Sequence, residues 1–310
     1  MASSIAIDLS PPPDRIGLAI IVRILAGICG ATMLTLAKLA SLRGVSPVET
    51  MCYRSVFAFP VVLAWIAAGP GLASVATTRP GAQLSRAGVG LASMALSFAA
   101  IGLLPVAELT AIMFVTPLFS TMLSALLLRE HVGVHRWAAI VAGFIGILVM
   151  TRPGAGDHVV PLGVLLALGS AGLAGGVAVA IRQLGAIDPP TTTVFWFTGT
   201  GATLGAIGLL FFFQPHDPVT WLFIIGIGVA GAALQLLLTT SLHLAPVSAT
   251  ASLDYLQFFW VTMLSWLLWA KFPSMHMLAG AALIGAASFY TVYRARRRQR
   301  ATVQEMPASI

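Results

Sequence analysis

The chain alternates between long apolar runs and short segments rich in proline, glycine or charge. Ten of the runs approach or reach the roughly 20 mostly apolar residues that a membrane-spanning helix needs. They cover residues 16–40, 46–69, 83–103, 106–128, 135–151, 161–182, 190–213, 218–242, 247–269 and 275–293. Turn-forming segments such as Arg79-Pro80-Gly81 and Arg152-Pro153-Gly154 separate them. The pattern predicts an all-α membrane protein with ten transmembrane helices.

Part of this pattern occurs twice, 141 residues apart. Pro105-Val106 corresponds to Pro246-Val247, and Thr121-Met122-Leu123-Ser124 corresponds to Thr262-Met263-Leu264-Ser265. The repeat divides the chain into two halves, 16–152 and 161–293, with five predicted spans each. Because five is odd, the second half enters the membrane from the opposite face. This predicts two inverted five-helix repeats around a shared midplane site, an arrangement typical of secondary transporters that work by alternating access.

Composition and charge favour a membrane location. Hydrophobic residues make up 58% of the chain and charged residues only 9%, whereas a soluble domain carries roughly 25% charged residues. The net charge of +7 owes much to the segment 294–310, which holds five arginines. We predict that this basic tail binds anionic lipid headgroups and no nucleic acid. Residues 1–15 contain three consecutive prolines and are predicted to form a disordered cytoplasmic arm.

The arginines and lysines also predict orientation, because they concentrate in cytoplasmic loops. With both termini inside the cell, eleven of them lie on the cytoplasmic side, at Arg15, Arg79, Arg86, Arg129, Arg136, Arg182 and the five positions of the tail. Three lie on the other side, at Arg43, Arg152 and Lys271. The count predicts a multi-pass protein of the bacterial inner membrane with both termini cytoplasmic.

Several motifs, taken together, resemble the drug/metabolite transporter superfamily, specifically its EamA-type ten-span branch. They are Ala37-Lys38-Leu39, Ser46-Pro47-Val48-Glu49, Arg54, Phe114-Val115-Thr116-Pro117-Leu118-Phe119, Leu128-Arg129-Glu130 and Leu253-Asp254-Tyr255-Leu256. The resemblance implies export of small metabolites, often amino acids or drug-like compounds, without nucleotide hydrolysis, as in YddG-like amino-acid exporters. The chain departs from the family pattern at Phe258 and Lys271, where the second repeat usually shows proline and a closing glutamate.

Asp254 is the candidate for coupling or substrate recognition. It follows Pro246 by eight residues, which places it about 12 Å into the span at 1.5 Å per residue. A charge at that depth costs roughly 2.5–3.5 kcal/mol on insertion scales, so it needs a partner or a role. It either carries a proton or faces a substrate ammonium, or else a neighbouring group satisfies it. Gln257 shares its helix face, while Tyr255 points about 100° away and favours packing.

The third and fourth spans offer an apolar wall, formed by Met94, Phe98, Met113 and Phe114. Their repeat counterparts, Gln235, Thr239, Asp254 and Tyr255, would form a polar wall. Such a pair of walls suits a zwitterion with a hydrophobic side chain. The alternative is that the methionines and phenylalanines simply pack in the core, as they usually do at helical spacing.

Three further charges fall within or near the spans. Glu108 lies at the start of the fourth span, where a helix-dipole role is favoured. Lys38 lies near the end of its span and can extend its amine to the interface. Arg54 lies deeper and is expected to pair with Glu49 or a backbone carbonyl.

Other function classes find less support in the sequence. A membrane enzyme would need paired carboxylates, an activated nucleophile or metal ligands, and no motif of these kinds occurs. A channel would be expected to repeat a polar stripe along a span, and a receptor to carry a signalling domain. We therefore predict a transporter of a small molecule that uses no cofactor or metal. The sequence leaves open whether it is a monomer or a homodimer.

Overall fold

The computed structural model describes residues 13–127, 134–151, 160–184, 188–244, 256–270 and 273–305. All regular structure in these ranges is helical, with a short 3-10 helix at Leu72–Val75. The α-helices, numbered here in chain order, are α1 Pro13–Leu42, α2 Pro47–Ala68, α3 Pro80–Leu103, α4 Val106–Met113, α5 Thr116–Leu127, α6 Val134–Thr151, α7 Pro161–Leu184, α8 Pro190–Phe212, α9 Pro218–Leu244, α10 Leu256–Trp269 and α11 Met275–Glu305.

These helices form the ten spans that the sequence predicts. Seven segments are long and apolar enough to cross a membrane, namely α1, α2, α3, α4 with α5, α7, α8 and α9. The other three spans hold shorter apolar stretches within the described residues, Trp137–Val149, Leu256–Trp269 and Met275–Ala287. Large apolar side chains such as Leu210 and Phe211, about four-fifths exposed, point away from the bundle, as a lipid-facing surface requires.

Proline and a capping box determine where several helices begin. Proline occupies the first turn of α2, α3 and α8, where its missing N–H breaks no helical hydrogen bond. At the start of α2 the Ser46 hydroxyl accepts from the Glu49 amide, and the Glu49 carboxylate accepts from the Ser46 amide. The family-like Ser46-Pro47-Val48-Glu49 motif is therefore a helix start.

The fourth span, predicted as one run over 106–128, is broken in its middle. Helix α4 ends at Met113 and α5 begins at Thr116. Pro117 has no N–H to donate to Met113, and the turn tightens there, with the Phe114 amide bonding to Ala111 and the Val115 amide to Ile112. In the second repeat α10 begins at Leu256, and the segment equivalent to α4 lies outside the described residues.

Two helices reach further than the predicted spans. Helix α11 continues through the basic segment to Glu305, past the predicted limit at 293. Helix α1 begins at Pro13, inside the segment predicted as a disordered arm. Both extensions are polar, which is why the hydrophobic pattern does not include them.

The packing of the helices has the symmetry of two inverted repeats. Helix α1 packs on α9 as its counterpart α7 packs on α3, and α1 contacts α10 as α7 contacts α5. The pseudo-two-fold axis exchanges α2 with α8 and α6 with α11, and each of these two pairs is in contact across the axis. Since each repeat contains five spans, this axis lies in the membrane plane and the repeats are inverted. The prediction of ten helices in two inverted repeats is confirmed.

Candidate functional site

The repeats meet through glycines on their first helices. Gly27 of α1 faces Trp260 of α10, since a Cβ added at Gly27 would lie 3.7 Å from the ring. In the other repeat, a Cβ at Gly172 of α7 would lie 3.9 Å from the Phe119 ring of α5. Trp260 and Phe119 are the same position of the repeat, 141 residues apart. Each glycine lets a long aromatic side chain of the other repeat approach its helix closely.

One turn further on, the two interfaces differ. A Cβ at Gly175 would lie only 2.8 Å from the backbone nitrogen of Ser120 in α5. A Cβ at Gly30, the corresponding glycine of α1, would meet the Gln257 side-chain amide at 2.8 Å, with the α10 backbone no closer than 3.4 Å. The α7–α5 contact is therefore closed, whereas the α1–α10 contact has a side-chain amide between its helices.

Polar groups without partners lie beside this interface. The Trp260 indole N–H and the Thr116 hydroxyl are buried and have no hydrogen-bond partner among the described residues. Thr116 and Gln257 are also the same repeat position, at the start of α5 and α10. Phe114 and Phe258 meet edge to face, with ring centres 5.7 Å apart. An apolar region with a few free donors is what a metabolite site requires.

The apolar residues predicted to line the path lie at the centre of the bundle. Phe98 is 3% exposed and belongs to the main hydrophobic core, whereas Met94 and Met113 are half-buried against that core. Phe114 is half-buried as well and packs against a second cluster formed by α5, α6 and α11. Phe98 is thus enclosed by its neighbours, while the other three residues retain some accessible surface.

The polar residues predicted for the opposite wall are only partly described. Gln235 is half-buried, and the buried Thr239 donates its hydroxyl to the Gln235 carbonyl at 2.9 Å within α9. Gln257 is half-buried against α1. Asp254 and Tyr255 lie outside the described residues, so the expectation that Asp254 couples transport stays a prediction.

Lys38 and Glu108 occupy helix ends. The Lys38 amine donates to the carbonyls of Ile101 at 2.7 Å and Leu104 at 3.1 Å, at the C-terminus of α3. A cation there stabilises both the orphan carbonyls and the helix dipole. The half-buried Glu108 lies in the first turn of α4, the end at which a carboxylate is favoured.

The expectation that Arg54 pairs with Glu49 or with a backbone carbonyl is wrong within the described residues, where neither contact occurs. Glu49 is fully buried, and its carboxylate accepts instead from the amides of Ser46 and Gln214, with His216 Nε2 at 3.3 Å. Its position in the first turn of α2 keeps it about 7 Å of helix rise away from Arg54. We call Ser46, Glu49, Gln214 and His216 the Glu49 cluster. It ties the start of α2 to the segment before α9.

The same segment carries an exposed ion pair. Arg43 Nη1 lies 3.0 Å from Asp217 Oδ2. The Thr220 hydroxyl, two backbone amides and Arg43 together lower the pKa of Asp217 below its ordinary value, with the hydroxyl contributing most. Asp217 is thereby an N-cap for α9 that remains charged in moderately acidic solution.

Sequence analysis missed a buried arginine pair. Arg54 of α2 and Arg86 of α3 are each 6% exposed, and both guanidinium groups lie against the ring of Phe197 in α8. Arg86 was expected on the cytoplasmic side but lies among α3, α8 and the ring. Its position three residues inside the apolar run 83–103 was the available signal.

In the described part of the chain, no three His, Cys, Asp or Glu side chains are grouped closely enough to hold a metal ion.

Comparison with known proteins supports the division of the chain into two repeats. The model of the EamA-like transporter family matches twice, over residues 17–152 and 161–293. A riboflavin transporter of Vibrio cholerae is 27% identical over 279 residues, covering 89% of this chain and 93% of its own length. A pseudopaline exporter of Pseudomonas aeruginosa is 30% identical over 219 residues, covering 69% and 76% respectively.

More distant matches agree. An S-adenosylmethionine uptake transporter of Rickettsia prowazekii is 22% identical and covers 80% of this chain and 84% of its own. A solved crystal structure, 20% identical, superposes with a TM-score of 0.62 over 91% of this chain and 98% of that one. That structural likeness concerns the fold alone.

Proposed function

Because the chain belongs to the EamA-like transporter family, it is a membrane transporter of small metabolites, and we propose that it exports hydrophobic or aromatic amino acids, or amphipathic drug-like compounds, by alternating access. The relatives are named for three substrates and for different directions of transport. Substrate and direction are therefore proposals made for this chain from its own residues.

The observation that carries the proposal is the inequality of the two glycine interfaces. The closed α7–α5 contact at Gly175 and the more open α1–α10 contact at Gly30 are related by the pseudo-two-fold axis. If the two exchanged their arrangements, the site between the repeats would open to the opposite side of the membrane. Glycine at both positions permits that exchange, since neither helix carries a Cβ that would prevent close approach.

The residues near the interface favour a substrate with an aromatic or apolar part. Met94, Met113, Phe114 and Phe258 offer soft apolar surface, and Trp260, Thr116 and Gln257 offer hydrogen-bonding groups. An aromatic amino acid presents both kinds of surface. Riboflavin does so too, and two of the relatives given that name cover most of this chain, so it is the second candidate.

We test the substrate by counterflow in proteoliposomes that contain the purified protein. Labelled phenylalanine, tryptophan, riboflavin and S-adenosylmethionine are compared, each with and without a pH gradient. We expect saturable exchange of an aromatic amino acid without ATP. Exchange of riboflavin alone would replace the amino-acid proposal, and exchange of none of these compounds under any gradient would refute both.

We further propose that Asp254 carries the coupling proton or faces the substrate ammonium. The variant Asp254→Asn keeps the size of the side chain but cannot ionise. We expect Asp254→Asn to lose the acceleration of transport by a pH gradient or to lose substrate binding. Gln257→Glu is the comparison, because it adds a titratable group on the same helix face and leaves Asp254 in place. Unchanged transport and pH dependence in Asp254→Asn would remove Asp254 from the mechanism.

Orientation and surroundings complete the proposal. We propose that both termini lie in the cytoplasm, with the arginines of 294–310 against anionic lipid headgroups, and that the functional unit is a monomer or a homodimer. Fusion of a fluorescent protein or of alkaline phosphatase to the C-terminus tests orientation. We expect fluorescence and no phosphatase activity, and the reverse result would refute the predicted topology.

A further inference from the structure

Arg54 and Arg86 enter the same site from helices that begin on opposite sides of the membrane. Arg54 lies seven residues after the start of α2 and Arg86 six residues after the start of α3, which is about 9–11 Å along each helix. Their guanidinium carbons lie 5.7 Å and 5.3 Å from the centre of the Phe197 ring. The sum of these distances, 11.0 Å, is the largest possible separation of the two charges.

The ring between them is held in place. A Cβ at Gly90 of α3 would lie 3.0 Å from the Phe197 ring, and Ala87 and Leu91 pack around it. Phe197 is itself only 8% exposed. A ring face attracts a cation, but it contributes no hydrogen bond and no negative charge. It therefore positions two guanidinium groups without neutralising either.

No carboxylate of the described residues neutralises the pair. Arg86 donates one hydrogen bond, to the Thr193 carbonyl at 3.1 Å. Arg54 makes none in the described part of the chain, and the Nε atoms of both residues are buried without a partner. The buried Asp188, near the start of α8, instead accepts from Thr77 and Gln83. Two like charges in a low-dielectric interior require a counter-charge.

The pair also faces the interior where the repeats meet. A Cβ at Gly231 of α9 would lie 3.0 Å from Arg54 Nε and 3.2 Å from the Met33 sulfur of α1. Met94, predicted to line the substrate path, packs against both the Phe197 cluster and the main core. The arginines are thus continuous with the central region and lie away from lipid.

We propose that Arg54, Arg86 and Phe197 form an anion-binding site that takes the carboxylate or phosphate group of the transported solute. This rests on the proposed function, whose site it extends from an apolar region to one with a cationic end. Guanidinium groups suit the purpose because their planar donors match carboxylate and phosphate oxygens. The unpartnered Nε–H groups are the donors that such a ligand would engage.

The first test measures binding in an uncharged detergent, without any gradient. Thermal unfolding is followed against inorganic phosphate, and against two matched pairs that differ in the anionic group, phenylalanine with phenylalaninamide and riboflavin 5′-phosphate with riboflavin. We expect the member of each pair that carries the carboxylate or phosphate group to raise the melting temperature at concentrations at least tenfold lower than the member that lacks it. Equal effects within both pairs, and none from phosphate, would overturn the proposal.

Variants locate the effect. In Arg54→Gln and Arg86→Gln the apparent affinity for the anionic ligand should fall at least tenfold, and Arg54→Lys should retain part of it because the charge remains. Arg43→Gln is the matched control, since Arg43 is a half-exposed cation outside this site, and its affinity should stay within twofold of wild type. If either glutamine variant fails to fold, the measurement is made on the other one and on Phe197→Leu. The leucine variant removes the aromatic ring that positions the two guanidinium groups but removes no charge. Wild-type affinity in the arginine variants that fold would overturn the proposal.

Two further outcomes separate the alternatives. Stabilisation by phosphatidylglycerol micelles that requires both arginines, without any response to soluble anions, would overturn the assignment to a solute and indicate a lipid phosphate. Arginine-dependent binding without counterflow of any solute would keep the site and refute the proposed transport. Counterflow that is unaffected in Arg54→Gln and Arg86→Gln would refute the site and keep the proposed function.

Discussion

Alanine at Gly30 and Gly175 tests whether the two repeat interfaces exchange during transport. In the structure, a methyl group at Gly175 would lie 2.8 Å from the Ser120 amide nitrogen and 2.9 Å from the Phe119 Cβ. Neither atom belongs to a flexible side-chain end, so α7 and α5 must separate by several tenths of an ångström. The three atoms nearest to a methyl group at Gly30 all belong to the Gln257 side-chain amide, the closest at 2.8 Å, and that amide can rotate.

The expected stabilities follow from these contacts. Forcing a methyl group into a closed contact costs about 1–3 kcal/mol, and replacing a helical glycine by alanine returns about 1 kcal/mol. Gly175→Ala should therefore lose between about 0 and 2 kcal/mol of stability. For Gly30→Ala, moving Gln257 off its rotamer costs roughly 0.5–1.5 kcal/mol, which nearly offsets the helix gain. Gly285→Ala is the control, because nothing lies within 4 Å of its added Cβ, and it should be neutral or slightly more stable.

The transport rate should reveal an effect of Gly30→Ala that its stability does not. If α1 and α10 must reach the closed arrangement that α7 and α5 hold, Gly30→Ala will meet the α10 backbone in that state. We expect Gly30→Ala to melt within about 2 °C of wild type while its counterflow rate falls several-fold. Melting temperatures in detergent and initial rates in proteoliposomes are the two measurements. A wild-type rate in Gly30→Ala, matching that of Gly285→Ala, would refute the exchange of interfaces.

Two predictions concern the segment before α9. Glu49→Gln should destabilise the protein by about 2–4 kcal/mol, because a buried carboxylate that accepts from Ser46 and Gln214 would be replaced by an amide; Glu108→Gln is the comparison, and equal melting temperatures would contradict the role of the Glu49 cluster. Asp217, whose pKa is lowered chiefly by the Thr220 hydroxyl, should contribute stability that is complete above its ordinary pKa and is lost as the pH falls through the lower folded value. Thermal unfolding between pH 5 and pH 2.5 should therefore show a smaller acid-side loss in Asp217→Asn than in wild type, and identical curves would show that the cap contributes nothing.

The sequence predicted most of what depends on transfer between water and lipid. The spans follow from runs of apolar residues, and the inverted symmetry follows from the repeat between Pro105 and Pro246 together with an odd number of spans per half. Helix extensions beyond the apolar runs were missed, since α11 continues to Glu305 through polar residues. The break after Met113 was missed as well, although Pro117 marks it.

Candidate site residues were harder to place, because neighbours in space are distant along the chain. Phe98 fits the pattern of a path residue but is enclosed in the core. Arg54 is expected to pair with Glu49 or a backbone carbonyl, and it contacts the Phe197 ring instead. Arg86 is counted among the cytoplasmic-side charges, and in the structure it lies beside Phe197, more than 100 residues away along the chain. Periodicity within one helix cannot identify which other helix faces a given side.

The amino-acid sequence by itself determined the fold class and the number of spans, because hydrophobic length and repetition can be read along one chain, and its motifs carried the resemblance to the family. Only the tertiary structure decided that Gly30 and Gly175 occupy unequal contacts and that Arg54 and Arg86 share the Phe197 ring. These features depend on distances between helices of different repeats, and differences of a few tenths of an ångström in those distances decide which contacts form. Local sequence rules contain no such distances.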